Sequence, residues 1–213
     1  LSPGGESVNL GVEGYGIDQM LLRFERDALP MKPDVAVLAV ILDDFGRAEH
    51  AVAVTGHAKP RFVSTGSGLA LTNVPVPKID GNRARGVKPG FWTMPWVIPG
   101  LAARALAARA PEEPSELSPL HRAILRRFRD GAEGAGGRFL VMLIPVGAEW
   151  ERNPASRREE LARFCREESI ALLDLFPILG ALPGMDYHGH PPARVHEQIA
   201  KTLNGELRRL GWL

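Results

Sequence analysis

The sequence is poor in three features that would each have pointed to a class of protein. Cys165 is the only cysteine among 213 residues, which excludes an intramolecular disulfide and a cysteine metal cluster. The formal net charge is only +1, whereas a nucleic-acid-binding protein requires a basic face. No apolar run approaches the ~20 residues of a membrane-spanning helix, which argues against membrane contact.

The sequence does contain apolar runs that alternate with helical patterns. Residues 34–42 and 138–144 form continuous apolar runs, typical of strands buried on both faces of a parallel sheet. Residues 170–176 predict a further strand. Apolar residues at helical spacing predict helices over residues 17–28, 119–130, 156–168 and 195–210. This order predicts an α/β fold with a doubly wound parallel sheet, a flavodoxin-like three-layer α/β/α sandwich.

Residues 45–111 interrupt this alternation. Residues 61–63 and 69–76 predict two short strands that form a hairpin around residues 64–68, in a stretch interrupted by several prolines. The most hydrophobic part contains Trp92 and Trp96, which either pack onto the sheet or line an apolar acyl pocket. We predict a single domain over residues 1–213, with residues 45–111 as an insertion or lid over one end of the sheet.

The first residues are typical of the middle of an α/β domain. Residues 7–10 predict a short strand, which a glycine loop and a helix starting at Ile17 follow. The sequence has no initiator methionine. We therefore expect that one more strand and helix of the fold precede Leu1.

Three loops with unusual residues follow predicted strands, where open α/β sheets bind their ligands. They are residues 11–16, which include Gly14, then Asp43 with Asp44, and residues 185–192, which include Asp186, His188 and His190. A glycine loop can direct backbone N–H groups at an oxyanion. A histidine held by a carboxylate can act as general base toward a serine. If the loops converge, they form one site.

These residues, in this order, resemble the SGNH hydrolases, also called the GDSL-like lipase/esterase family. That family has a doubly wound three-layer α/β/α fold. Residues 9–14 resemble its second block, which implies that Gly14 is the oxyanion-hole glycine. Residues 42–44 resemble the third block, with Asp43 in the place of the usual Asn. His190 and Pro191 resemble the block that carries the general base.

The resemblance implies a serine-type carboxylic ester hydrolase that uses no metal and no organic cofactor. Its partner would be a small-molecule or acylated ester. The family's Gly-Asp-Ser block, with the nucleophile, would precede Leu1. The family's acid stands two or three residues before the histidine, where this chain has His188 and Tyr187. Either Asp186 reaches His190 around Gly189, or a Ser–His dyad operates. An ionised Asp43 only accepts hydrogen bonds, so it would serve an oxyanion only when protonated.

Other interpretations remain open. A tight turn would explain Gly14, a capping role Asp43, and an exposed loop His190. The departures at Asp43 and His188 also fit a non-catalytic binding protein of the same fold. An acyltransferase acting on carbohydrate would use the same residues as the hydrolase. A metal site is disfavoured because the histidines near His190 have no second ligand cluster.

Overall fold

The structure is a computed structural model that describes residues 5–66, 68–78, 117–145, 155–180 and 191–213. These residues form an α/β arrangement around a three-stranded parallel sheet. The sheet has the order β1 (Val35–Val40), β4 (Arg138–Leu143), β5 (Ala171–Asp174). A separate antiparallel hairpin pairs β2 (Arg61–Thr65) with β3 (Gly68–Thr72).

Helices precede and follow the strands of the parallel sheet. In chain order they are α1 (Ile17–Arg23), α2 (Asp43–Ala48), α3 (Pro119–Gly134), α4 (Ala155–Glu167), α5 (Phe176–Gly180) and α6 (Ala193–Arg209). The hydroxyl of Ser118 accepts the N–H of His121, and Pro119 occupies the first position of α3, so this helix begins with a favourable cap. No helix in the described ranges is both long and apolar enough to cross a membrane.

The two faces of β4 contact two different apolar cores. Phe139 and Val141 belong to a core with α1, α3 and α4, whereas Leu140 and Met142 belong to one with α5 and α6. Successive side chains of a strand point to opposite faces, so helices cover both faces of β4. The sheet is therefore flanked by helices on both sides, as the sequence predicts and as a three-layer α/β/α sandwich requires.

β1 differs from the sequence prediction of a strand buried on both faces. Leu38 and Val40 are buried, but Val37 is 36% exposed and Ala39 is also exposed. The reason is position, since β1 is the last strand on its side of the described sheet and pairs only with β4. Residues 7–10 are also not a strand, because no described strand lies beside them to complete a ladder.

The predicted hairpin is confirmed, with a shorter second strand. β3 ends at Thr72, where Asn73 adopts a left-handed φ of 58° and Pro75 follows. The helix predicted over residues 17–28 begins at Ile17, but α1 continues as a π-helical turn at Phe24–Ala28 and a 3-10 turn at Leu29–Met31. Lys32, with a φ of 50°, then ends it.

Candidate functional site

A cleft of about 1610 Å³ runs along the edge of β1 that pairs with no other described strand, which is called the free edge below. Residues 5–15 line one part of it, and residues 33–39 with Ile41 line another. Leu203, Leu207 and Trp212, at the end of α6 and just after it, add apolar surface. The cleft also includes the loop that leaves the carboxyl end of β1, the position at which open α/β sheets bind ligands.

The backbone of β1 is unpaired on the cleft side within the described part of the sheet. The carbonyls of Asp34 and Val40 accept the N–H groups of Arg138 and Ile144, each at 2.8 Å, so even-numbered residues bond to β4. The odd-numbered residues between them therefore direct their N–H and C=O groups toward the cleft. These unpaired backbone groups end at Ile41, whose N–H donates to Asp44 Oδ2 at 3.0 Å. The edge can accept one more parallel strand.

Gly14 occupies a tight turn that only glycine adopts without strain. Its φ is +74°, and the N–H of Tyr15 closes the turn on the carbonyl of Val12 at 3.4 Å. A Cβ at Gly14 would lie 2.8 Å from Val54 Cγ2. The N–H of Gly14 donates no hydrogen bond to another described residue. The turn explains the glycine, and it also leaves a backbone donor without a partner in the described structure.

Because Gly16 has no side chain, the glycine loop packs directly against the backbone of α2. A Cβ at this position would lie 2.8 Å from the backbone nitrogen of Ala48 and 2.9 Å from the carbonyl carbon of Arg47. Both distances are shorter than real Cβ contacts, so a side chain would push the loop away from the helix. Because α2 directly follows β1, this contact places the glycine loop beside the carboxyl end of the strand.

A buried ion pair joins the first turn of α1, which follows the glycine loop, to the segment of residues 51–59. Lys59 Nζ donates to Asp18 Oδ2, and the two residues are 2% and 0% exposed. Burial raises the pKa of the Asp18 carboxyl, and the hydrogen bond and charge of Lys59 act in the opposite direction. Asp18 lies two residues after Gly16, so the pair fixes residues 51–59 against the loop.

A second ion pair lies at the carboxyl end of β1. Asp44 Oδ1 accepts a hydrogen bond from Arg47 Nη1 at 2.5 Å, and the same Nη1 is 3.5 Å from the carbonyl oxygen of Tyr15. Burial raises the pKa of the Asp44 carboxyl to about 6, and the nearby Asp43 adds to the rise, whereas the N–H of Ile41 and Arg47 oppose it. Asp44 and Arg47 thus connect β1, α2 and the glycine loop.

Two of the predicted site residues, Gly14 and Asp43, line the same cleft, together with Asp44 and Arg47. His190, Asp186, His188, Trp92 and Trp96 lie outside the described residues. The described chain resumes at Pro191, which also lines the cleft. The cleft therefore contains the predicted oxyanion glycine and the residue that follows the predicted base.

Where the glycine loop meets α2, three polar residues were missed by the sequence reasoning, and a fourth, Asp44, was given no role of its own. Asp18 and Lys59 are 41 positions apart, so no local pattern reveals their contact. Arg47 carries no signal beyond its place on a short helix, and Asp44 was noticed only as the neighbour of Asp43. The i,i+3 spacing of Asp44 and Arg47 could have indicated that pair.

Two other predictions concern metal and thiol chemistry. In the described ranges, no three His, Cys, Asp or Glu side chains lie close enough together to hold a metal ion. His196 is an exposed residue of α6. Cys165 is buried as predicted, and burial raises the pKa of its thiol to about 12, which keeps the thiol protonated at neutral pH.

Comparisons of the chain with models of known protein families, with curated proteins and with solved structures found no match. The function is therefore inferred from the residues of the cleft and from their order in the sequence.

Proposed function

We propose that the protein is a serine-type hydrolase of carboxylic esters, with its site at the carboxyl end of β1. One observation carries this proposal. Gly14, held at a φ of +74° with its N–H unused by other described residues, lines the same cleft as Asp43 and Pro191. A backbone N–H fixed before the reaction is a donor that can stabilise the oxyanion of a tetrahedral intermediate.

The proposed reaction has two halves. A serine hydroxyl attacks the ester carbonyl, His190 accepts its proton, and the oxyanion receives a hydrogen bond from the N–H of Gly14. His190 then donates the proton to the leaving alcohol, and water hydrolyses the acyl-enzyme. Asp186 orients His190, or His190 acts without a carboxylate. His188, between them in the chain, is the other candidate for a supporting role. Trp92 and Trp96 are proposed to line the acyl pocket.

The serine is proposed to lie at the carboxyl end of a further strand paired with the free edge of β1. The backbone groups of the odd-numbered residues of β1 face the cleft, and the exposed side chains of Val37 and Ala39 offer apolar contact. A parallel strand there would place its last residue close to Gly14. It would also extend the sheet toward the doubly wound, flavodoxin-like order that the sequence predicts.

Asp43 is proposed to border the oxyanion site. It occupies the first position of α2 and lines the cleft. In its ionised form it accepts hydrogen bonds only, so it would contribute a donor only when protonated. The two neighbouring carboxyls favour a second candidate, a carbohydrate-binding protein of the same fold, because carboxylates accept hydrogen bonds from sugar hydroxyls.

The test is turnover of short p-nitrophenyl esters by the complete natural protein. We expect His190→Ala to lower kcat/KM by about 10³-fold, since it removes the general base. His196→Ala is the matched control, because His196 is an exposed residue of α6. Absence of turnover by the natural protein would favour the binding protein. Transfer of the acyl group to an added sugar in preference to water would indicate an acyltransferase.

A further inference from the structure

One long hydrogen bond closes the turn that contains Gly14 in the described structure. The N–H of Tyr15 donates to the carbonyl of Val12 at 3.4 Å, longer than the usual range of about 2.7–3.2 Å. Residues 11–13 are exposed, whereas Ile17, the first residue of α1, is fully buried. The turn is therefore weakly held by its own backbone, and the direction of the Gly14 N–H depends on contacts from outside the turn.

Arg47 holds this turn from the side of α2. Its Nη1 donates to the carbonyl oxygen of Tyr15 at 3.5 Å, and the charge of the guanidinium strengthens a hydrogen bond of this length. The N–H of the same peptide, on Gly16, donates to Gln19 Oε1, also at 3.5 Å. The Tyr15–Gly16 peptide is thus held on both sides. Because Tyr15 is also the residue that closes the turn, fixing its peptide fixes the direction of the Gly14 N–H.

Arg47 is itself fixed to the end of β1. Asp44 Oδ1 accepts a hydrogen bond from Arg47 Nη1 at 2.5 Å, and Asp44 Oδ2 accepts the N–H of Ile41 at 3.0 Å. Asp44 is only 4% exposed, so its carboxyl is held between the strand and the helix. Burial raises the pKa of this carboxyl to about 6, so it is ionised above neutral pH and its bond to the guanidinium is charge-assisted. A continuous set of contacts therefore runs from β1 through Asp44 and Arg47 to the glycine loop.

We propose that Arg47 is a positioning residue that holds the N–H of Gly14 in the direction from which it binds the oxyanion. The inference rests on the proposed function, because it takes Gly14 as the oxyanion donor. Arg47, Tyr15 and Gly14 all line the cleft, so the contact lies at the proposed site. A donor fixed before the reaction stabilises the transition state without a cost of reorganisation. Loss of Arg47 therefore lowers kcat and leaves KM nearly unchanged, since the oxyanion forms only in the transition state.

The experiment compares hydrolysis of p-nitrophenyl acetate by the complete natural protein and its variants at pH 8, where Asp44 is ionised. Arg47→Met keeps the apolar stem and removes the donors. Its kcat should fall about tenfold, a smaller loss than the roughly 10²–10³-fold cost of removing an oxyanion donor outright. Arg47→Lys should recover part of this loss, because it keeps a charged donor beside Asp44. An unchanged kcat in Arg47→Met, or a rise in KM alone, would overturn the proposal.

Arg129→Met is the matched control. Arg129 Nη1 likewise donates to a carbonyl and a carboxylate, both of Glu168, at 2.8 and 2.9 Å. Its side chain is 21% exposed, against 26% for Arg47. Because Arg129 lies on α3 and does not line the cleft, its replacement should leave kcat unchanged. A fall in kcat equal to that of Arg47→Met would show that the loss of any such arginine lowers turnover, and would overturn the positioning role.

A measurement without substrate separates this proposal from the hydrolase function. The ¹⁵N relaxation of the Gly14 amide gives its order parameter, which should fall from about 0.85, typical of rigid backbone, to below about 0.6 in Arg47→Met. It should stay unchanged in Arg129→Met. A fall without ester turnover by the natural protein would support the positioning of Gly14 and contradict hydrolysis. An unchanged order parameter in Arg47→Met would overturn the positioning role whether or not esters are turned over.

Discussion

The centre of the sheet and the corner where the glycine loop meets α2 are held together by different interactions. Every side chain of β4 from Phe139 to Leu143 is buried and apolar. The corner instead contains the ion pairs Asp18–Lys59 and Asp44–Arg47 and the close contact at Gly16. Apolar contacts stabilise without strict geometry, whereas buried ion pairs and glycine contacts depend on specific positions. The apolar contacts at the centre of the sheet therefore stabilise the fold, and the ion pairs and glycine contact of the corner fix the position of the glycine loop.

β1 takes part in both regions. One edge belongs to the ladder with β4, and the other borders the cleft. Its carboxyl end is where the apolar ladder gives way to Asp43, Asp44 and the glycine loop. A strand that is stable on one side and open on the other can present a fixed backbone to a ligand or to another strand.

The largest effect is expected from breaking the buried ion pair of the corner. Lys59→Met leaves the Asp18 carboxylate buried without its cation, so the free energy of unfolding should fall by about 3–5 kcal/mol. Adding Asp18→Leu should recover most of the loss, because both charges are then removed. Urea denaturation of the three proteins measures this. A loss below about 1 kcal/mol in Lys59→Met would show that the pair does not hold the corner.

The centre of the sheet should respond to a loss of volume. Leu140, on β4, is fully buried, so Leu140→Ala should lower the free energy of unfolding by about 3–4 kcal/mol through lost burial and a cavity. Val37→Ala, on the exposed face of β1, is the control and should cost less than about 1 kcal/mol. Equal losses in urea denaturation would mean that the cleft face of β1 is buried as deeply as β4.

The corner should also depend on pH. The pKa of Asp44 is about 6 in the folded protein, whereas its ordinary value is 3.8, so the folded state binds the proton of this carboxyl more tightly than the unfolded state. Protonation of Asp44 therefore stabilises the folded protein, an effect that is fully present below pH 3.8 and is lost as the pH rises through 6. A shift of this size corresponds to at most about 3 kcal/mol.

This pH dependence is isolated by subtraction. The free energy of unfolding of Asp44→Asn is subtracted from that of the wild type at each pH between 4 and 8. The difference should favour the wild type increasingly as the pH falls, since Asn cannot take up the proton. A difference that stays constant, or that grows with rising pH, would contradict the buried position of the carboxyl.

A smaller effect is expected at Gly14. Gly14→Ala forces an L-residue to a φ of +74° and into contact with Val54, and should cost about 1–2 kcal/mol. Gly205→Ala is the matched control, because Gly205 lies within α6 with no atom near its Cβ position, and it should gain about 0.5–1 kcal/mol. Thermal unfolding would measure both. A neutral Gly14→Ala would mean that the loop rearranges freely.

The sequence predicted the elements whose signals are local. The apolar run of residues 138–144 and the helical spacing before and after it correspond to β4, α3 and α4. The turn residues between β2 and β3 correctly indicated a hairpin. The glycines before Ile17 correctly indicated a loop, and Gly14 has the positive φ that its residue type suggested. In each case the structure depends on residues close together in the chain.

The predictions that failed depended on partners distant in the chain. The run of residues 34–42 has the same character as β4, but its burial is decided by which strand lies beside it. Strand formation at residues 7–10 likewise requires a neighbour. The contact of Asp18 with Lys59 spans 41 positions and leaves no periodic trace. Of the candidate site, sequence reasoning identified Gly14 and Asp43 but not the ion pairs that position them.

The most direct test of the central claim is labelling of the complete natural protein with a serine-directed fluorophosphonate, followed by intact-mass measurement and peptide mapping. We expect one label per chain, on a serine, with labelling lost in His190→Ala and retained in His196→Ala. Gly14→Ala should slow labelling, because the strain at a φ of +74° and the clash with Val54 would displace the N–H that is proposed to bind the phosphonyl oxygen. An unlabelled natural protein, or labelling unaffected by His190→Ala, would contradict the proposal of a serine hydrolase at the carboxyl end of β1.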